Sequence, residues 1–216
     1  MSDVPLLDRI VHDLRGPLVP LQTAAYLLGR DDLPPERRRE LLDTLERQSR
    51  RLGLMIEEAG DWVRASQQRL VSRREPCELG LLVDTAIGGI AGCRAQPRIA
   101  VELAAQSIPG DETRLLQMLT ALLRHACARD PESTPAVVVA SLRDRVRITI
   151  SDQGPTPAAA ELSDLFEQPC AQPADSGLGL RLLIAHTIAR DHGGSLVAVA
   201  GEADPGMSLV CELPLG

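Results

Sequence analysis

Apolar residues at Leu7, Val11, Leu14, Leu18, Leu21, Ala25 and Leu28 step by three and four through the first thirty positions. That spacing lines one face of a helix. A second stripe of the same rhythm runs through Leu41, Leu45, Leu52, Ile56, Ala59 and Val63. Between them, residues 29–35 carry Gly29, Asp31, Asp32 and Pro34-Pro35, which suit a turn followed by a helix start. Two long helices joined by so short a loop should form an antiparallel hairpin. A lone hairpin of about 65 residues has too small a core to stand by itself. Pairing two hairpins into a four-helix bundle buries both stripes, so a homodimer is the economical solution.

Residues 72–78 are polar, contain Pro76 and mark a domain boundary, giving an all-α hairpin over 1–72 and a second domain over 78–216. Beyond the boundary the rhythm changes. Residues 79–90 read as a helix and 99–103 as a strand. Asp111 is placed to cap a helix that runs to about residue 128. Residues 137–142 and 146–151 alternate like neighbouring strands, with Arg143-Asp144 at the turn. A short helix over 161–166, a longer one over 178–191, and strands over 196–200 and 208–213 complete the pattern. Strands interspersed with helices predict an α+β sandwich, a mixed sheet covered by helices.

Composition excludes several functions. Aromatic residues are 1% of the 216 positions (Tyr26, Trp62 and Phe166), so bases have no stacking platform. A net charge of -7 also disfavours a phosphate backbone, so no nucleic acid is expected as partner. The arginine clusters at residues 37–39, 50–51 and 73–74 read as solvated helix surface. Five scattered cysteines, with no C-x-x-C pair, fit reduced thiols and a cytoplasmic setting. No apolar run reaches the roughly 18 residues of a membrane span, and no signal-peptide pattern opens the chain.

His12 lies about 140° from the mean of the first apolar stripe at the helical turn of about 100° per residue, so it projects outward. An accessible imidazole near neutral pH can be an uncharged nucleophile. The adjacent Asp13 can hold one ring nitrogen protonated and leave the other lone pair free to attack phosphorus. Pro17 removes a backbone donor nearby and is expected to bend the helix. The string His12-Asp13-Leu14-Arg15-Gly16-Pro17-Leu18 resembles the H-box of two-component sensor histidine kinases. That resemblance implies His12 as phosphoacceptor and Asp13 as the acidic residue that orients it. Gly16 stands where the family commonly carries the Thr or Asn used in phosphatase activity.

Further strings follow in the family's order. Asp175-Ser176-Gly177-Leu178-Gly179-Leu180 opens a helix that ends at His192-Gly193-Gly194 and resembles the G2 box. Glycines at a helix start let backbone N–H groups approach an anion, and the helix dipole adds favourable charge. Residues 146–154, a strand ending in Asp152-Gln153-Gly154, resemble the G1 box, in which Asp152 would accept from the adenine amino group and Gly154 would admit the base. Thr156 replaces a second glycine there. Residues 162–167 resemble the F-box, followed by a short lid between Phe166 and Gly177. Residues 111–126 keep the N-box frame, with Ala121 and His125 at the two asparagine positions. The second of these asparagines normally helps hold magnesium, which prefers oxygen ligands. An imidazole suits a borderline metal such as manganese better.

The resemblance spans about residues 5–213 and implies a dimeric bundle followed by a histidine-kinase ATPase domain. It implies ATP and Mg as cofactors, with nucleotide contacts at His125, Asp152, Gly154, Gly177, Leu178 and Gly179. It also implies a response regulator receiver domain as partner and an upstream sensor domain or protein. The expected activity is ATP-dependent phosphorylation of His12 and transfer to an Asp of the regulator. The altered N-box keeps open an ATP-independent phosphotransfer module or pseudokinase scaffold. An ATPase of the chaperone or mismatch-repair type is a third reading, which the H-box disfavours.

Overall fold

The two helical stripes become α1 (Val4–Leu28) and α2 (Pro35–Ser66) in a computed structural model that describes residues 4–170, 177–201 and 205–215. Pro35 occupies the first turn of α2, where its missing N–H costs nothing. Arg37 pairs with Glu40 one turn on at 2.6 Å, and Arg50 pairs with Glu46. α1 remains one helix through Pro17 and Pro20.

The buried face of α1 differs from the expected stripe. Ile10, Pro17 and Ala24 are buried, while Leu7, Val11 and Leu18 are exposed. α2 likewise buries Leu41, Met55 and Ala65 but exposes Ile56 and Val63. A helix in a bundle needs two apolar faces, and one hairpin supplies cover for only one of them. Two acidic residues, Glu58 and Asp61, also fall on the covered side of α2.

The second half forms β1 (Glu75–Glu78), α3 (Leu79–Gly88), β2 (Pro97–Ile99), α4 (Val101–Ala104), β3 (Ser107–Gly110) and α5 (Glu112–Arg129). These lead into β4 (Ala136–Leu142), β5 (Arg145–Ser151), α6 (Ala159–Asp164), α7 (Arg181–Asp191), β6 (Ser195–Ala200) and β7 (Met207–Pro214). The main sheet has the order β2-β4-β5-β7-β6, parallel only between β2 and β4. α3, α5 and α7 share a core with one face, burying Val137, Val139, Ile148, Ile150, Leu209 and Cys211. The alternating residues Val138, Arg147 and Val197 are exposed on the other face, so the lobe is a two-layer sandwich. Truncating a residue such as fully buried Leu122 to Ala would cost about 2–5 kcal/mol.

Two local expectations change. The strand expected over 99–103 ends at Ile99, and Val101–Ala104 makes one helical turn. That turn buries Leu103, while Val101 remains 80% exposed, so the apolar run does not behave as one sheet-facing segment. Part of the polar 72–78 segment is strand β1, held antiparallel to β3 with Cys77 opposite Ile108. Its structure comes from a partner thirty residues away, which local polarity does not register.

Candidate nucleotide and phosphoacceptor sites

His12 sits on the outer surface of α1 with its side chain 85% exposed. Its Nδ1 lies 3.1 Å from Asp13 Oδ1. Asp13 also faces Arg9 one turn back at 3.6 Å. The ring is therefore held at one nitrogen while Nε2 is presented to solvent. A carboxylate at Nδ1 favours the tautomer with the proton there and the lone pair on Nε2.

The opposite half of the chemistry lies in the second lobe, around a cleft of about 510 Å³ whose walls include Ala121, His125, Arg129 and Gly179. α5 supplies the first wall. Asp111 caps this helix by accepting the Arg114 N–H at 3.2 Å, as the sequence predicts. His192, from the His192-Gly193-Gly194 exit, reinforces the cap by accepting the Asp111 N–H at Nε2, 2.9 Å, while Nδ1 lies 2.8 Å from Ile188 O. This histidine joins the end of α7 to the start of α5. His186, half-buried, stacks on Phe166 with ring centroids 5.5 Å apart.

His125, four turns along α5, has a buried Nε2 with no hydrogen-bond partner among the described residues. Burial pushes its pKa down to about 4, Arg129 adds to that effect and Asp152 opposes it. The imidazole is thus neutral at pH 7, and His125 lines the cleft. Nitrogen suits a borderline divalent cation better than magnesium. Among the described residues no cluster of three or more His, Cys, Asp or Glu could hold a metal unaided.

Asp152 follows β5 directly and is buried. Its Oδ1 accepts the Gly154 N–H at 2.9 Å, closing the turn, and its Oδ2 takes Arg129 Nε at 2.8 Å. Arg129 also donates to Pro155 O. A Cβ on Gly154 would crowd Arg129 O at 2.9 Å, so glycine is required by the close approach of two backbones. Thr156, at the replaced glycine, accepts the Gly206 N–H at 3.2 Å and ties this loop to the turn between β6 and β7.

Gly177, Leu178 and Gly179 are buried in the loop before α7. Gly179 has φ +78°, and a side chain there would overlap Cys170 O. The amides of Leu178 and Leu180 each donate at 2.7 Å to the Glu58 carboxylate of α2. Asp175 and Ser176, with most of the expected lid, lie outside the described residues.

The expected nucleotide residues thus cluster. His125 and Gly179 line the cleft, Asp152 and Gly154 stand behind Arg129, and Gly177 and Leu178 belong to the same glycine loop. His12 and Asp13 stand apart on the hairpin. Glu58, Asp61 and Arg9 are additions that sequence reasoning missed. Glu58 and Asp61 follow Met55 at three-residue steps and precede Ala65 on the covered side of α2, and acidic residues on such a face were the available signal.

The His Kinase A (phospho-acceptor) domain matches residues 6–68, and the Histidine kinase-, DNA gyrase B-, and HSP90-like ATPase family matches residues 110–216. The chain belongs to the two-component sensor histidine kinase family. It is 28% identical to Sensor protein ChvG of Rhizobium meliloti, over 96% of this chain and 39% of that protein. It is 29% identical to Sensor histidine kinase TrcS of Mycobacterium tuberculosis, over 88% and 40%. The chain thus spans about two fifths of these relatives. Among solved structures, Acinetobacter baumannii histidine kinase AdeS aligns with TM-score 0.70 at 19% identity, over 95% of this chain and 98% of that one. Histidine kinase ThkA in complex with response regulator protein TrrA aligns with TM-score 0.73 at 17% identity, over 98% and 61%. These two share the fold.

Proposed function

We propose that this chain is the catalytic part of a sensor histidine kinase, which transfers the γ-phosphoryl group of ATP to His12 and then to an aspartate of a response regulator. The observation that carries the reading is the exposed His12 ring, held at Nδ1 by Asp13, in one chain with a glycine-loop cleft of the ATPase type. Nε2 attacks phosphorus as the bond to the ADP oxygen breaks. The positive charge that develops on the ring faces Asp13. Asp152 receives the adenine amino group and Gly154 leaves room for the base. The amides of the loop 177–180 cradle phosphate oxygens. His125 is the residue that would hold a divalent cation, which when bound supplies charge neutralisation at the phosphates.

The hairpin, to about residue 72, serves as the phosphoacceptor unit and the remainder as the nucleotide unit. A second copy of the chain covers Leu7, Val11, Leu18, Ile56 and Val63, completing a four-helix bundle. An upstream sensor region and a cytoplasmic setting belong to the same proposal. The test is incubation with labelled ATP and Mg²⁺ or Mn²⁺. Label is expected on wild type and absent from His12→Ala; an unlabelled wild type beside an active control kinase overturns the reading.

A second reading, an ATP-independent phosphotransfer module, draws on Asp152 and the glycine-loop amides already having protein partners. Calorimetry separates the two. Micromolar ATP-analogue binding that disappears in Asp152→Ala favours the kinase, whereas phosphoryl transfer onto His12 from a phosphorylated regulator without nucleotide binding favours the module.

A further inference from the structure

The loop before α7 already carries an anion, and that anion belongs to the hairpin. Glu58 is 5% exposed, its Oε2 takes the Leu178 N–H and its Oε1 takes the Leu180 N–H, both at 2.7 Å. Gly179, in the left-handed region, lies between the two amides, and the Leu178 and Leu180 N–H groups on either side of it meet the one carboxylate. The helix dipole of α7 adds to the attraction. These are the donors that a nucleotide phosphate needs, and Glu58 also forms part of the cleft wall with His125 and Arg129.

Glu58 is delivered there by further contacts. Asp61, three residues on, meets Arg114 of α5 at 2.9 Å and Gln117 at 2.6 Å, and also pairs with Arg64 at 2.6 Å. From the other helix, Arg9 donates to Cys170 O at 2.8 Å, and the Cys170 N–H donates to Gly179 O at 2.9 Å. Both helices of the hairpin thus grip the glycine loop.

We infer that the Glu58 carboxylate is a built-in competitor of nucleotide phosphate, so that binding nucleotide expels Glu58 from the glycine loop and releases the second lobe from α2. Two anions cannot share one pair of amides. Expulsion of Glu58 removes one of the ties, beside those of Asp61 and Arg9, and loosens the hold of α2 on the lobe. This rests on the proposal that nucleotide binds in this cleft.

The experiment measures ADP binding by calorimetry for the full chain, its Glu58→Ala variant and its Glu58→Gln variant. Amide exchange at Leu178 and Leu180 is followed by NMR without nucleotide. Glu58→Ala is expected to bind ADP roughly tenfold tighter or more, the order of one charge-assisted hydrogen bond. Glu58→Gln, with a single uncharged acceptor oxygen, should fall between. Amide exchange at 178 and 180 should quicken in Glu58→Ala. Equal or weaker ADP binding by Glu58→Ala overturns the inference and leaves the nucleotide reading standing. Unchanged exchange overturns the contact itself. Failure of all three proteins to bind ADP, with quickened exchange in Glu58→Ala, overturns the nucleotide reading and the competition with it.

Discussion

Arg129 Nε stands 2.8 Å from Asp152 Oδ2, placing a guanidinium on the carboxylate that the G1 pattern assigns to adenine. The same carboxylate holds the Gly154 turn through its other oxygen. Asp152 therefore has a structural role beside the recognition role proposed for it. Asp152→Ala removes the turn acceptor and leaves Arg129 uncompensated, at a cost of about 1–3 kcal/mol because Arg129 can swing toward water. Asp152→Asn keeps an acceptor for Gly154 and should cost less, while still losing nucleotide affinity. Denaturant unfolding and calorimetry on both variants separate these effects.

His125 brings a pH dependence. Its folded pKa of about 4 lies below the ordinary 6.5, so folding favours the neutral ring. The unfolded chain binds the proton more readily between these values, so stability falls as pH drops from about 6.5 toward 4. Above 6.5 the effect is absent. The loss is at most roughly 3 kcal/mol. Unfolding measured across this window should be flatter in His125→Asn; an equal slope in both proteins rejects the assignment.

Asp13 and His12 should separate chemistry from stability. His12 is exposed, so His12→Ala should change unfolding free energy by no more than about 0.5 kcal/mol while abolishing phosphoryl acceptance. Asp13→Asn retains an oxygen beside Nδ1 but loses the charge. Its autophosphorylation rate should fall by about 10²-fold or more, with ADP affinity unchanged.

Two glycines should respond in opposite directions. A Cβ on Gly16 meets nothing within 4 Å, and the residue lies inside α1. Gly16→Ala should stabilise the chain by about 0.5–1 kcal/mol. Gly179→Ala, at φ +78° against Cys170 O, should destabilise it by about 1–3 kcal/mol. Thermal unfolding of the pair reads both signs.

Thiol reactivity should follow burial. The Cys211 thiol is pushed up to about 12, first by burial and then by Glu212, whereas Cys170 is exposed. Brief alkylation near pH 8 followed by peptide mass spectrometry should label Cys170 and spare Cys211 until the protein unfolds.

The helices and most sheet strands were legible because their signals are local. Apolar steps of three and four, alternation at 146–151 and an Asp before α5 each act within a few residues. β1 was hidden because Glu75 and Glu78 are charged and Pro76 lacks an N–H, and only pairing with β3 makes them a strand. The 99–103 reading failed because a short apolar run does not declare its period. Which faces of α1 and α2 are covered was also illegible, since apolar residues fall on more than one face of each helix.

By itself the chain's order of residues determined an outward His12 beside Asp13, a glycine loop opening α7 and an Asp-x-Gly turn ending β5, because each depends on neighbours along the backbone. Tertiary packing alone decided that Glu58 fills the loop's amides and that Arg129 covers Asp152. Glu58 and Leu178 are 120 positions apart, and a charge has no periodicity that points to its partner across such a distance. Burial selects the match, because a carboxylate withdrawn from water must find donors, and the unpaired amides before a helix are the ones within reach.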